Sequence, residues 1–330
     1  MKLASFVRSI VAAGALCAAG SFAVAPVATA QTFPDQPIKF IMPWPPGGGS
    51  DIAMRLVADA AAKTLGQPIV VINRPGAGGS IGIREIASAP PDGYTVGMIG
   101  SGAVAAQYLN PNANALDELQ PIALFGDEPA ALIARADAPF KTLAEFVAAA
   151  KAAPGTIRNG NDQPGGAAYT FISLYENMLG VKVQKVAYGG YAPAVTALLS
   201  GEVQTISIAV PDVAEHHKAG RLRILGVSGA QRHFLVPDVP TFKEQGFDVA
   251  VGSWRTIAGP KGIPPERLKI LEKGFRDAMS DPEFIERAKA RGFIVTPGGI
   301  AESQALWNGH DKALYPIMLE AGLVKTRKKQ

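Results

Sequence analysis

Residues 37–51 read PIKFIMPWPPGGGSD, and the architecture of the chain follows from them. The apolar run Ile38, Phe40, Ile41 and Met42 is bounded by Pro37 and Pro43, which predicts a short strand over 37–43. A glycine loop follows, Pro45-Pro46-Gly47-Gly48-Gly49-Ser50-Asp51. Beyond it Ile52, Leu56 and Leu65 recur on one side of a helix predicted over 51–65. Strand, glycine turn and helix open a βαβ unit. Such units build a mostly parallel sheet with helices on both faces.

The rhythm continues with a strand over 68–72 (PIVVI), a helix over 81–88 and a strand over 94–99. Asp127-Glu128-Pro129 interrupts it, and a fresh cycle starts. A strand is predicted over 131–135, and Thr142 caps a helix through Lys151. A short strand near Ile157, a helix over 167–178 and a strand over 183–187 follow. Then come a helix over 193–200, a strand over 203–208, a short helix over 213–218 and a strand over 223–227. Pro237, Pro240, Pro260, Pro264 and Pro265 punctuate a loop-rich stretch before helices predicted over 266–279, 282–291 and 301–319. The economical arrangement is two α/β domains, with 127–228 inserted into a first domain made of 31–126 plus 229–330. Crossings near Gly126 and Ser228 make a two-crossing hinge, and ligands favour the cleft between such domains.

The ends of the chain carry other information. Lys2 and Arg8 precede an uncharged stretch with an apolar heart over 10–19, and Ala28-Thr29-Ala30 fits an A-x-A cleavage site. Residues 1–30 therefore read as a secretory signal peptide, which places the mature protein outside the cytoplasm. The apolar run is short for a membrane span and is broken by Gly14, Gly20 and Pro26. Cys17 is the single cysteine and falls in the leader, so the mature chain has no disulfide, thiol nucleophile or cysteine metal site. Of the 32 basic residues, Lys2, Arg8, Lys325, Arg327, Lys328 and Lys329 lie at the two ends, where no acid stands. The formal charge of +4 is thus a property of the ends, and the 28 acidic residues leave the body slightly acidic. No basic stripe for nucleic acid is visible. With 48% hydrophobic residues and a mean hydropathy of +0.14, the remainder is an ordinary folded chain.

Three glycine clusters fall after predicted strands: 45–51, Arg74-Pro75-Gly76-Ala77-Gly78-Gly79-Ser80, and the weaker Gln163-Pro164-Gly165-Gly166-Ala167. Each sets bare backbone N–H groups ahead of a helix N-terminus, a ready anion site. The alternative is that the glycines only make tight turns. Two clusters facing each other across a cleft would favour the first reading. No phosphate-loop or dinucleotide motif is present, and no cofactor is called for. Gly78-Gly79-Ser80-Ile81-Gly82 fits the G-x-S-x-G of serine hydrolases, so an exported hydrolase using Ser80 is the rival reading. Seven residues separate Ser80 from the strand end, too many for a sharp nucleophile turn. His216, His217, His233 and His310 form no metal pattern and are expected at the surface. Trp44, beside the first loop, is placed to wall a pocket, while Trp254 and Trp307 read as core.

Further motifs run in order along the chain. They are PWPPGGGSD at 43–51 with Arg55, LGQ at 65–67, VINRPGAGG at 71–79 and PDGYT at 91–95. After these come KAAPG at 151–155, YGGYAPA at 188–194, AGRLR at 219–223, VPDVPT at 236–241 and Gly259-Pro260. Together they resemble the Bug family, the periplasmic receptors of tripartite tricarboxylate transporters. The resemblance implies a type II periplasmic-binding-protein fold that closes on a small organic anion. It also implies delivery to large and small membrane subunits, with no catalysis and no metal. A monomer suits such a shuttle, and a signalling receptor without a transporter is a further alternative. By the same resemblance one carboxylate lies against Gly47, Gly48, Gly49, Ser50 and Asp51, beside Trp44 and Pro46. Ser101 and Gly102 form another wall. Asn161, Gly165, Gly166, Ala168 and Tyr169, with Val210, Pro211 and Asp212, form the closing jaw. The chain departs from the family at Pro164–Tyr169, where a Gly/Ser run and a His are usual, and at Arg255, where an aromatic is common. Tyr169 or Arg255 is therefore expected to set selectivity. Arg255 either pairs a second carboxylate or bridges a surface acid.

Overall fold

The computed structural model describes residues 33–162, 166–229, 231–249, 251–320 and 322–327. The leader over 1–30, with Cys17, and the loop residues Gln163, Pro164 and Gly165 lie outside them. The first half of the chain runs β1 (Ile38–Met42), α1 (Gly49–Leu65), β2 (Ile69–Asn73), α2 (Ser80–Ala87), β3 (Thr95–Gly100), α3 (Gly102–Leu109) and β4 (Leu119–Arg135). The middle follows as α4 (Leu143–Ala152), β5 (Arg158–Asn161), α5 (Ala167–Leu179), β6 (Gln184–Ala187), α6 (Tyr191–Ser200), β7 (Thr205–Ala209), α7 (Ala214–Lys218) and β8 (Leu222–Val227). The end is β9 (Gly252–Pro260), α8 (Pro265–Ser280), α9 (Pro282–Ala290) and α10 (Ile300–Glu320). From Phe33 on, the chain forms one compact unit.

The strands are ordered β2-β1-β3-β9-β4-β7-β5-β6, with β8 also paired to β4. β1 lies parallel to β2 and β3, and β5 parallel to β6 and β7, as the βαβ rhythm demands. Two strands break the parallel pattern. β9 runs antiparallel to β3 and β4, and the far end of β4 runs antiparallel to β7 and β8. β4 is a single 17-residue strand where the sequence predicts an interruption at Asp127-Glu128-Pro129. Its would-be breakers are absorbed by the ladder. The register with β9 slips between Pro121 and Ala123 and again between Leu124 and Gly126. Gly126 is required there, because a Cβ would meet the Ile294 carbonyl oxygen at 2.8 Å. Residues 119–129 of β4 pair with β9, and 130–135 pair with β7 and β8.

The chain returns at Ser228, which is 1% exposed. Its hydroxyl donates to the Val251 carbonyl (2.6 Å), lies 2.9 Å from the Ala130 carbonyl and meets the Tyr175 hydroxyl at 2.9 Å. Ile38, Phe40, Met42, Val57, Phe125 and Phe275 belong to one buried cluster around β1 and α1. Ile133, Leu198, Ile206, Ile208 and Ile224 belong to another around β7. Trp254 and Trp307 are both core, each 1% exposed. The histidines are not all superficial as expected. His233 is fully buried, its Nε2 2.8 Å from Glu128 Oε1, because Glu128 also points inward to accept from the Ile294 N–H. Burying that carboxylate calls for a partner.

Candidate functional site

The loop after β1 is held open by one side chain. Asp51 is 3% exposed and accepts from the Gly47 N–H (3.0 Å), Arg55 Nε (3.0 Å) and Asn73 Nδ2 (2.8 Å). Asn73 also donates to the Trp44 carbonyl at 2.9 Å, which ties both ends of the loop to β2. Burial pushes the Asp51 carboxyl up, but Arg55, the Gly47 N–H and Asn73 outweigh it and hold it below its ordinary value. Asp51 is therefore committed to the loop. Gly47 takes a left-handed φ of 85°, which explains the glycine. Gly48 caps α1 with extended backbone and no side-chain hydrogen bond. The first N–H groups of this 17-residue helix have no partner within it. Beside Gly47 and Gly48 there is open space, with nothing within 4 Å of where a Cβ would stand. At Gly49 a Cβ would lie 3.6 Å from Asp212 Oδ1 and 3.8 Å from Phe293.

The second glycine cluster does not face the first across a cleft. A Cβ on Gly79 would stand 3.2 Å from the Trp44 ring, and one on Gly82 would press on the Pro43 backbone at 2.8 Å. These glycines let α2 pack beneath the first loop, which is the turn-and-packing reading. Ser80 is 3% exposed and accepts from Asn110 Nδ2 at 3.4 Å. His217 is instead bonded to Asp238, His233 to Glu128 and His310 to Trp254. A hydrolase nucleophile needs both access and a base, and Ser80 has neither among the described residues.

The third cluster is occupied from within. Asp162 Oδ1 accepts from the Tyr169 N–H at 2.9 Å and Oδ2 from the Ala168 N–H at 3.4 Å. The N-terminus of α5 thus already holds an anion. A Cβ at Gly166 would collide with that carboxylate. Burial still lifts the Asp162 carboxyl to about 6, against the pull of the backbone N–H groups.

Arg255 lies on β9 opposite Gly100 of β3 and Gly126 of β4 and is 3% exposed, so it bridges no surface acid. Its Nε donates to Ser50 Oγ at 3.1 Å, and its guanidinium stands 5.7 Å from the Phe293 ring. Its Nη1 is buried with no hydrogen-bond partner. The same holds for Ser101 Oγ, at the entry to α3, and for Asn161 Oδ1, at the end of β5. Burial raises the Asp212 carboxyl to about 6, with Arg255 drawing it down and Glu128 adding to the rise. Asp127 is also raised to about 6, by burial and then by Glu128.

The structure therefore brings together the loop 47–51, Arg255 and Asp212, while Tyr191 opens α6 half-buried. That tyrosine is raised well above its ordinary value by burial and then by Asp162 and Asp212, with Arg255 opposing. Gly102 is buried at the start of α3. Ala168 and Val210 are fully buried, backbone included, and Pro211 packs against Gly292. Tyr169 does not join the group. Its ring lies under the Lys185 ammonium at 5.1 Å. Sequence reading passed over Tyr191 and Asp162. Their signal, a tyrosine after Gly189-Gly190 and an acid at a strand end, gains meaning only in the folded chain. A separate cavity of about 1050 Å³, lined by Asp127, Leu174, Trp254, Leu306, His310 and Leu314 among others, contains none of the expected site residues.

A family model, the tripartite tricarboxylate transporter family receptor, matches residues 53–306. Protein BugT of Bordetella pertussis is 34% identical over 297 residues, covering 86% of this chain and 91% of that protein. The structure of the periplasmic binding protein BugD superposes with a TM-score of 0.79 at 29% identity, covering 89% of this chain and all of that one. MatC from Rhodopseudomonas palustris with bound malate gives 0.78 at 28% identity, covering 86% of this chain and 99% of that one.

Proposed function

Since the chain belongs to the tripartite tricarboxylate transporter receptor family and has a periplasmic-binding-protein fold, we propose that it captures a small organic acid in the cleft at the N-terminus of α1. We further propose that it delivers this acid to the large and small membrane subunits of such a transporter. In this reading it works in the periplasm once residues 1–30 are removed, and it breaks no bond. Its close relatives are receptors, and the MatC structure carries malate. Among the described residues no helix is long and apolar enough to cross a membrane.

The observation that carries the proposal is the state of the α1 N-terminus. Gly48 gives α1 no side-chain cap, the space beside Gly48 is open, and Asp51 is spent on the Gly47 N–H, Arg55 and Asn73. Unpaired N–H donors and the positive end of the helix dipole favour a carboxylate there. Arg255 Nη1 and Ser101 Oγ supply buried donors with no other partner. The division at Gly126 and Ser228 makes the two segments of the hinge, and the lobes on either side close on the acid.

A thermal-shift panel of mono-, di- and tricarboxylates, each with its amide as control, tests this. Saturation at 100 Kd stabilises the native state by about 2.7 kcal/mol. A rise in Tm with one class of acid, lost in its amide, is the expected result. A panel with no acid-dependent rise would overturn the reading.

A further inference from the structure

Successive residues of a strand face opposite sides of the sheet, so β9 presents two unlike faces. Arg255 turns to one face, where its Nε donates to Ser50 Oγ at 3.1 Å. Trp254 turns to the other, where its Nε1 donates to His310 Nδ1 at 2.8 Å. Asp127 is the register partner of Trp254 and shares its face, while the next residue, Glu128, is bonded to His233. Behind β4 and β9 lies the cavity of about 1050 Å³. Its walls are Leu174 and Met178 of α5 and Leu306, Leu314 and Ile317 of α10. It is on the reverse of β9 from Arg255 and the loop 47–51.

Two large apolar side chains of the lining stay exposed, Met178 at 43% and Phe234 at 39%. Such walls suit the apolar body of a small molecule. The other titratable groups of the lining are committed. Arg232 gives its Nε to both carboxylate oxygens of Glu244 at 3.0 Å and its Nη1 to the Pro237 carbonyl at 3.1 Å. His310 accepts from Trp254, and burial lowers it to about 4, so it is neutral. Asp127 differs. It is exposed, and no hydrogen bond or ion pair reaches its carboxylate among the described residues. The protein around it still lifts the carboxyl to about 6, with Glu128 adding to the rise and Arg255 opposing it. An accessible acid without a close cation thus stands in an apolar cavity.

We propose that this cavity is a second binding site, for a hydrophobic ammonium compound whose cation meets Asp127 and whose apolar body lies between α5 and α10. The site is separate from the acid cleft and does not rest on that reading. Gly309 of α10 also lines it, and a Cβ there meets nothing within 4 Å. A large side chain at 309 therefore fills the cavity while keeping the helix.

Calorimetric titration of the protein purified from the periplasm tests the site, at a pH well above the Asp127 carboxyl. The probes are phenethylamine and hexylamine. Each is set against its alcohol, 2-phenylethanol or 1-hexanol, and its carboxylate, 3-phenylpropionate or heptanoate. At least one amine is expected to bind tenfold or more tighter than both of its analogues. Asp127→Asn is expected to weaken that amine tenfold and to leave the alcohol within twofold. Gly309→Phe should abolish amine binding, and Gly48→Ala, in the acid cleft, should leave it within twofold. Unliganded melting curves establish that the variants fold. Amines binding no tighter than their alcohols, or undiminished in Asp127→Asn, would overturn the proposal. So would binding that survives Gly309→Phe, and so would the absence of binding by either amine.

Discussion

Replacing Asp51 by Ala should unfasten the loop after β1. Three bonds to a carboxylate that is 3% exposed disappear together: from the Gly47 N–H, Arg55 Nε and Asn73 Nδ2. They do not weigh equally. Arg55 is 45% exposed and re-solvates, so its share is small. Asn73 keeps its bond to the Trp44 carbonyl. Gly47 is exposed and its N–H re-solvates too, so the half-buried Asn73 amide and the emptied space carry most of the loss, and a buried polar group left without its partner costs about 1–3 kcal/mol. A total of about 2–4 kcal/mol follows. The entropy of unfolding, about 2.1 cal/mol/K per residue, makes this a fall in Tm of about 3–6 °C for some 300 residues. Asp51→Asn retains one acceptor and should lose about half as much. Scanning calorimetry of both variants without ligand measures this. If Asp51→Ala melted within 1 °C of the parent, the loop would not depend on Asp51, and the account of its open helix terminus would be wrong.

Gly48→Ala separates binding from stability. The Gly48 backbone is extended at φ −75°, which alanine adopts freely, and its Cβ would point into open space. Unliganded Tm should stay within about 1 °C, while acid affinity measured by titration falls at least tenfold. A second expectation concerns pH. The Asp212 carboxyl lies near 6 in the fold against 3.8 for the free side chain, so its protonated form is favoured by folding. Its stabilising contribution is full below about 4 and is lost as pH rises through 6. Two pK units correspond to about 3 kcal/mol, and the water that reaches this half-buried group reduces that to about 1–2 kcal/mol. Urea unfolding from pH 4 to pH 7 should show Asp212→Asn losing that much less than the parent. The difference cancels the opposite contribution of His310, which burial lowers to about 4. Glu128→Ala strands buried His233 and the Ile294 N–H, and a drop of about 3–5 kcal/mol in chemical denaturation is expected.

Much of the fold is legible because its signal is local. The strand–glycine–helix opening at 37–65 appears as β1 and α1, and Thr142 caps α4 by accepting from the Glu145 N–H at 3.2 Å. What escapes the sequence is non-local. β9 spells GSWRTIAGP and is buried nearly throughout, so it shows no alternation, and its glycines, arginine and proline mimic a loop. β4 appears broken by Pro121, Gly126 and Pro129 because the bulges that accommodate them belong to its pairing with β9. α3 spells GAVAAQYL, a run of small apolar residues buried on nearly every side with no polar face to reveal it. The site divides in the same way. The glycine loop is visible as a motif, but Asp162 as the resident cap of α5 depends on how the end of β5 meets α5.

The most direct test is a crystal structure of the protein with the acid that gives the largest thermal shift. The expected result is a carboxylate within hydrogen-bond distance of the N–H groups at Gly48, Gly49 and Ser50, with Arg255 Nη1 on the same ligand. An acid seated elsewhere, as in the cavity between Trp254 and Leu306, with the α1 N-terminus untouched, would contradict the account.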